Sequence, residues 1–319
     1  MVSCRIQFKH KQPEKLSTTL SQQIIRTILY FDIFDHPITK DEVVYFASGS
    51  LSYNQIAEEL KALVTDGELF QKDGYYSPRE NIGSLISKRV NGELTAQTAQ
   101  EKAYKRAKFI GKFPYVKAAY ISGSMSKGVM HEDGDVDFFI ITEPGRLWVA
   151  RTLLILYKKI FLFNSHKFFC VNYFIDSGNL EIEEKNLFTA TEAATLKPIY
   201  DSGIYHDFYK ANSWVKDFLP NQTEQAVIYN GNTNRPVAKA IEHMLNNSVG
   251  DKLDRLFMST TLKFWKTQFK ELDDTNFDLA LKTRTYVSKH HPQNFQKRVL
   301  TALDERVKQF EENRKSRVH

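Results

Sequence analysis

Apolar residues at Ile24, Ile25, Ile28, Leu29 and Phe31 recur at helical spacing and predict a first helix that stops before Pro37. Thr39 with Glu42 (T-K-D-E) and Ser52 with Gln55 (S-Y-N-Q) have the form of capping boxes. In that device each side chain satisfies an amide that the first helical turn leaves free. Two more helices are expected there, the second running to about Thr65 and ending at Gly67. Short strands over Glu68–Gln71 and Tyr75–Ser77 flank Lys72-Asp73-Gly74, a hairpin signal. Apolar runs then predict strands over Val116–Ser122, over Phe138–Thr142 and over Phe168–Ile175. Leu147–Phe163 is the most apolar stretch, and Arg151, Lys158 and Lys159 within it make it a buried helix rather than a membrane span. From Thr191 onward the pattern is helical: Glu192–Leu196, Tyr205–Leu219, Pro236–Leu245, Leu253–Phe269, Asn276–His290 and Asn294–Glu312. Within this part Leu256, Phe257, Thr260, Thr261 and Phe264 form a stripe expected to face a core.

Composition narrows the class. The 319 residues are 42% hydrophobic and 26% charged, a mix that can bury a core. At about 150 residues per domain they suggest two domains or a few small ones. With 14 Gly and 9 Pro, collagen-like and low-complexity classes are excluded. Cys4 and Cys170 are too few for a disulfide scaffold and lack zinc-site spacing, which fits a reducing compartment. Met1–Lys11 carries no apolar segment of signal-peptide type, so a cytoplasmic setting is expected.

Charge divides the chain. Arg79–Lys117 holds nine basic against three acidic residues, a local net of +6, whereas Leu20–Pro78 holds four against nine, a net of −5. The stretch around Lys102, Lys105, Arg106, Lys108, Lys112 and Lys117 is either a face for a polyanion or a solvated helix surface. Three helices and a hairpin in Leu20–Pro78 resemble a winged helix-turn-helix. Its third helix offers Tyr53, Asn54, Gln55, Glu58 and Glu59 beside a lone Lys61. Such a face repels phosphates, so this module is expected to contact protein, or its own neighbour, rather than read DNA.

The chemistry concentrates in Tyr115–Asp176. The first core strand runs straight into Gly123-Ser124-Met125-Ser126-Lys127-Gly128. Val129-Met130 stands where a Walker loop needs Lys-Ser/Thr, so a P-loop is excluded. A strand ending in Gly-Ser before a short helix can instead hold a triphosphate through free amides and the Ser hydroxyl. Asp135-Val136-Asp137 follows, leading into the next strand. Residues i and i+2 of a strand point to one side, so the two carboxylates converge on one metal-sized space. Hard oxygen ligands of this kind suit Mg²⁺ bridged to substrate phosphates.

Gly123-Ser124 followed by Asp135-x-Asp137 in an apolar strand resembles the nucleotidyltransferases of the DNA polymerase beta superfamily. Pro144-Gly145-Arg146-Leu147-Trp148, Cys170-x-Asn172-Tyr173, Phe188-Thr189-Ala190-x-Glu192 and Ala211-Asn212-x-Trp214 with Leu219-Pro220-Asn221 look like a prokaryotic subfamily of it. The resemblance spans roughly Lys88–Asn221. It implies an α+β chain: a tail over 1–19, a winged-helix-like domain over 20–80, a core with a mixed sheet and a leading basic helix over 81–190, and a C-terminal helical region over 191–319.

It also implies Mg²⁺ (or Mn²⁺) held by Asp135 and Asp137, and a nucleoside triphosphate held by Gly123 and Ser124. Ser126 and Lys127 are helpers, and Arg146 either clamps a phosphate or forms a structural ion pair. Such a site needs a third carboxylate on a later strand. Alternation places Phe168, Cys170, Asn172 and Phe174 on one face, with Asp176 on that side by parity at the strand's end. Either Asp176 fills the role, or the site is altered around Asn172. Arg151 and Trp148 are expected to be structural, Glu181, Glu183 and Glu184 to be solvated. Arg284 and the Lys289-His290-His291 cluster either contact substrate or are exposed before Pro292. The function implied is NMP transfer from an NTP to an unidentified acceptor. The alternative is an altered core that binds nucleotide or nucleic acid as an adaptor or regulator.

Overall fold

The structure, a computed structural model, describes residues 19–49, 52–165, 167–231 and 234–318. Cys4 and the tail expected over residues 1–19, except Thr19, lie outside the described residues. The chain opens with α1 (Leu20–Asp32), β1 (Ile38–Thr39), α2 (Lys40–Phe46) and α3 (Tyr53–Thr65). Capping boxes start all three helices: Thr19 with Gln22, Thr39 with Glu42 and Ser52 with Gln55. A hairpin follows, β2 (Phe70–Lys72) and β3 (Tyr75–Ser77), with β1 antiparallel to β3 on its other side. Asp73 and Gly74 turn it with φ of 51° and 82°, the pairing a two-residue hairpin loop requires.

Helix α4 (Ile82–Ile110) links this module to the main sheet. Gly92, Ala96, Ala99, Ala103 and Ala107 give it a narrow face. A Cβ on Gly92 would lie 2.6 Å from Val129 Cγ1, so small residues set how closely the helix approaches. Of its expected basic face, Lys102 and Lys108 lie over the rings of Phe168 and Tyr229, at 3.9 and 4.8 Å.

Next come β4 (Val116–Ser122), α5 (Gly123–Ser126), β5 (Asp137–Thr142), α6 (Leu147–Phe161), β6 (Cys170–Asp176), α7 (Leu187–Thr195) and β7 (Lys197–Asp201). Then follow α8 (Tyr205–Ala211), a 3₁₀ turn at Ser213–Asp217, β8 (Tyr229–Asn230), α9 (Pro236–Leu245) and α10 (Ser248–Gln268). The chain closes with α11 (Asp274–Ala280), β9 (Thr283–Arg284), β10 (Val287–Lys289) and α12 (Phe295–Val318).

The main sheet is mixed, in the order β8-β7-β4-β5-β6-β10-β9. β5 and β6 run parallel, joined by α6, and β4 is antiparallel to both β5 and β7. Ala119, Ile121, Phe138 and Ile140 pack under α4 and α6, while Tyr120, Phe139 and Ile141 pack under α7 and α8. With both faces covered, the central strands are almost wholly apolar. Among the described residues no helix is long and apolar enough to cross a membrane.

The part expected to be all-helical supplies four strands to this sheet. Asn276–His290 is a short helix and the β9–β10 hairpin, because Val287 and Ser288 pair with the edge of β6. β7 carries Pro198 beside a register shift opposite Ala119 and Tyr120, where a missing N–H is tolerated. The expected core stripe on α10 faces the core only in part: Phe257 packs against the main core, whereas Leu256 and Phe264 are 57% and 61% exposed and the helix buries Asp254 and Trp265. Asp254 Oδ1 accepts from the Trp148 and Val149 amides at 2.8 and 2.9 Å, so α10 caps α6.

Ion pairs join the first module to the rest. Arg89 of α4 is buried and grips Glu42 with both terminal nitrogens, at 2.7 and 2.8 Å, while donating to Pro37 O. Asp32, buried at the end of α1, pairs with Arg79 at 2.6 Å and with Arg306 of α12. Val299 and Leu303 of α12 complete the core that α1 begins. Arg89→Ala is expected to cost about 3 kcal/mol in denaturant unfolding, because it strands the Glu42 carboxylate without its fork partner; an unchanged midpoint would refute that role.

Candidate active site

β4 delivers Ser122 opposite Asp137 of β5, and both strands end their pairing there. Gly123, next in the chain, has φ of +67°, and a Cβ on it would lie 2.6 Å from Asp137 Oδ2. Glycine is therefore required twice, by conformation and by space. Val136 lies between the two carboxylates and points into the core, fully buried. Its amide bonds to Lys167 O and its carbonyl accepts from the Cys170 amide, so the chain is extended through 135–137. Asp135 and Asp137 accordingly line one cavity of about 780 Å³, together with Ser122, Gly123, Ser124 and Lys127. Neither carboxylate has a Lys or Arg within ion-pair distance among the described residues.

Asn172 Nδ2 donates to Asp137 Oδ1 at 2.9 Å. Burial pushes the Asp137 carboxyl up from 3.8 to about 6; the Cys170 thiol and the Asn172 amide pull the other way, and the charges of Glu192 and Asp135 add to the rise. The Cys170 thiol is itself pushed far above its usual range by burial and by Asp137. Lys127 Nζ donates to Gly123 O at 3.2 Å and pairs with Glu192 Oε1 at 2.7 Å. Ser124 is exposed at the cavity.

Three expected site residues lie elsewhere. Asp176 pairs with Thr142 at the opposite end of β6 from Cys170, six residues away or about 20 Å. Its Oδ1 accepts from Gly178 N and Asn179 Nδ2, closing a turn. Parity also fails: β6 bulges at Asn172, because Val171 pairs with Phe138 and Tyr173 with Phe139. Asp176 is therefore not the third carboxylate. Arg146 binds Asp251 at 2.6 Å and Leu245 O at 3.0 Å at the start of α6, and is structural. Ser126 is 5% exposed, with its hydroxyl donating to Gly123 O at 2.7 Å beside Thr195, so it braces the turn away from the cavity.

Arg151 lies between the rings of Trp148 and Trp265, in keeping with a structural role, and burial lowers it to about 10. Glu184 is buried against Lys282 at 2.6 Å, which Glu183 also meets, so that acidic run is not simply solvated. Arg284 pairs with Asp278 and is absent from the cavity wall.

The wall also holds residues outside the expected phosphate and metal set. Glu192 on α7 faces the cavity, and its place in Phe188-Thr189-Ala190-x-Glu192 was the available signal. Tyr30 and Phe34 come from α1 and the turn after it, Phe295 from α12, and Lys289, His290 and His291 from the end of β10. Among the described residues no three His, Cys, Asp or Glu side chains converge as a ready-made metal site. The protein offers a pair of carboxylates, and further ligands would come from substrate and water.

Residues 101–190 match the family model of the nucleotidyltransferase domain. That segment contains Gly123, Ser124, Asp135, Asp137 and Asn172, the cluster just described. No curated protein and no solved structure matches the chain.

Between pH 3.8 and 6 the folded protein retains the Asp137 proton that the unfolded chain has released. Stability attributable to this group therefore falls as pH rises through that window and stays lower above it. Asp137→Asn keeps the acceptor for Asn172 and removes the charge. It should stabilise the protein by about 2 kcal/mol at pH 8 and by almost nothing at pH 3.5. Thermal unfolding at both pH values checks this, and a destabilised variant at pH 8 would contradict it.

Proposed function

We propose that this protein transfers a nucleoside monophosphate from an NTP to a hydroxyl of an acceptor, dependent on Mg²⁺ or Mn²⁺. The observation that carries the reading is the Asp135/Asp137 pair, which among the described residues has no Lys or Arg within ion-pair distance and faces the same cavity as the Gly123–Lys127 turn. Two carboxylates beside one another, with only the more distant Lys158 charge acting on Asp135, favour a divalent cation, and their hard oxygens suit these ions. Bound there, the metal would stabilise charge on the attacking and leaving oxygens at the α-phosphorus.

The chain's own groups divide the remaining work. Ser124 and the backbone of the turn receive the phosphates, with Lys127 contributing positive charge. Asn172 orients Asp137. In the transfer, the acceptor oxygen bonds to the α-phosphorus while the bond to the bridging β-phosphate oxygen breaks. Pyrophosphate departs with that electron pair, and the hydroxyl proton passes to Glu192, the remaining carboxylate on this part of the wall. We read the first module as winged-helix-like and protein-contacting. Tyr53, Asn54, Gln55, Glu58 and Glu59 give its third helix no guanidinium for a phosphate or a guanine edge. The reading places the protein in a reducing cytoplasm.

Purified protein incubated with α-labelled NTPs, Mg²⁺ or Mn²⁺, and a cell extract as acceptor pool should yield labelled product. Asp135→Ala/Asp137→Ala should yield none. Nucleotide binding with no transfer under any condition would reject the enzyme in favour of a binding role. Once an acceptor is identified, Glu192→Gln should lower turnover by about 100-fold with little change in NTP affinity.

A further inference from the structure

The cavity has two chemically distinct ends. One carries Asp135, Asp137, Glu192 and the Gly123–Lys127 turn; the other is walled by Phe34, Phe188 and Phe295, with Phe295 6.1 and 6.0 Å from the other two rings. At this second end stands Lys289, only 4% exposed. Its ammonium donates to a neutral group, Gln296 Oε1 at 3.2 Å, and among the described residues no carboxylate lies within ion-pair distance. The acids nearest in charge are already engaged: Glu184 by Lys282 at 2.6 Å and Asp278 by Arg284 at 2.6 Å. Lys282, equally buried, has two carboxylates. Burying an ammonium without that compensation costs several kcal/mol, so Lys289 is out of balance in the free protein.

Its neighbour repeats the pattern. His291 Nε2 is buried with no hydrogen-bond partner, and its ring stands edge-on to Tyr173 at 6.3 Å. Lys289 Nζ lies 5.9 Å from the same Tyr173 ring, so both groups border one spot on the wall. Burial and the charge of Lys289 hold the imidazole neutral, at about 3, so it presents a ring nitrogen rather than a second cation. A buried cation and an orphan nitrogen that donates in its Nε2–H tautomer, converging on a cavity, form the complement of an anionic group.

The sheet fixes how far this spot is from the carboxylates. Lys289 pairs with Tyr173, and Cys170, three residues earlier on β6, pairs with Asp137. That is roughly 10 Å along the strand and, with β6 between β5 and β10, about 10 Å across it, so the two backbone positions stand about 14 Å apart. We propose that Lys289, His291 and Gln296 form the anion subsite for the acceptor, a small organic molecule with a carboxylate or phosphate at one end. Its apolar or aromatic body lies against Phe34, Phe188 and Phe295, and its hydroxyl reaches the Asp135/Asp137 end. This assignment rests on the transfer reading for the acceptor's role, whereas anion capture by Lys289 is independent of it.

Phenyl phosphate and benzoate serve as probes, with inorganic phosphate and ATP as comparisons, and the ring resonances of labelled His291 as readout. The aromatic anions should shift His291 saturably, with or without ATP and Mg²⁺ present. Lys289→Met, which removes an uncompensated buried charge and is expected to fold, should weaken their binding by about tenfold or more, and Lys289→Arg should weaken it less. Asp137→Asn should bind them as the wild type does. Absence of a saturable shift, or equal binding by a folded Lys289→Met, would overturn the subsite. Displacement of the probes by ATP would assign the cation to nucleotide phosphates and overturn the acceptor role. Failure of label transfer with anion binding intact would reject only the transfer reading.

Discussion

A carboxylate seated against a residue that has no side chain is the contact on which the site depends. Asp137 Oδ2 occupies the space where a Cβ of Gly123 would stand, and Asn172 holds its other oxygen. The register that pairs Ser122 with Asp137 brings the turn to the acid, and the apolar faces of β4 and β5 fix that register. Slipping β5 by one residue would turn Asp137 into the core and Val136 into the cavity. Hydrophobic burial, which carries no chemical information itself, thus sets the position of the charged groups.

The same burial raises the energy of the ionised acid. Asp137 is shielded from water, lies near Glu192 and Asp135, and has no Lys or Arg within ion-pair distance among the described residues. Charges left unbalanced in a cavity are a common mark of a working site, since a partner supplied by substrate or metal can complete them. The cavity contains the opposite imbalance as well, at Lys289. Elsewhere buried charges are closed off by their surroundings: Arg89 by Glu42, Asp32 by Arg79 and Arg306, Asp254 by the Trp148 and Val149 amides, and Arg151 by two indole rings. The contrast between those closed pairs and the open ones separates scaffold from chemistry.

Features encoded within a few residues were legible in the sequence. The capping boxes at Thr39 and Ser52, the Asp73-Gly74 turn and the Asp135-x-Asp137 pair all fall within four positions, and each stands as its local chemistry requires. What was hidden depends on distant partners or on irregularity. Arg146 pairs with Asp251, 105 residues away, so its role could not be read from its neighbours. Asp176 was misplaced because alternation assumes an unbroken strand, and the bulge at Asn172 breaks it. β9 and β10 are two and three residues long and owe their form to the edge of β6 rather than to propensity. For the Lys289–His291 segment the sequence leaves substrate contact and exposure both open, because nothing nearby in the chain shows which cavity it borders.

That cavity draws its walls from Tyr30 near the start of the described chain, Asp137 and Glu192 in the middle, and His291 and Phe295 close to the end. Loop closure makes such long-range assembly a late event in folding. On the ribosome, the Gly123–Lys127 turn and the Asp135/Asp137 pair would emerge well before the segment that encloses them. A nascent chain could therefore form the central sheet and still lack a chamber, and competence would arrive only when the last helix docks against the first.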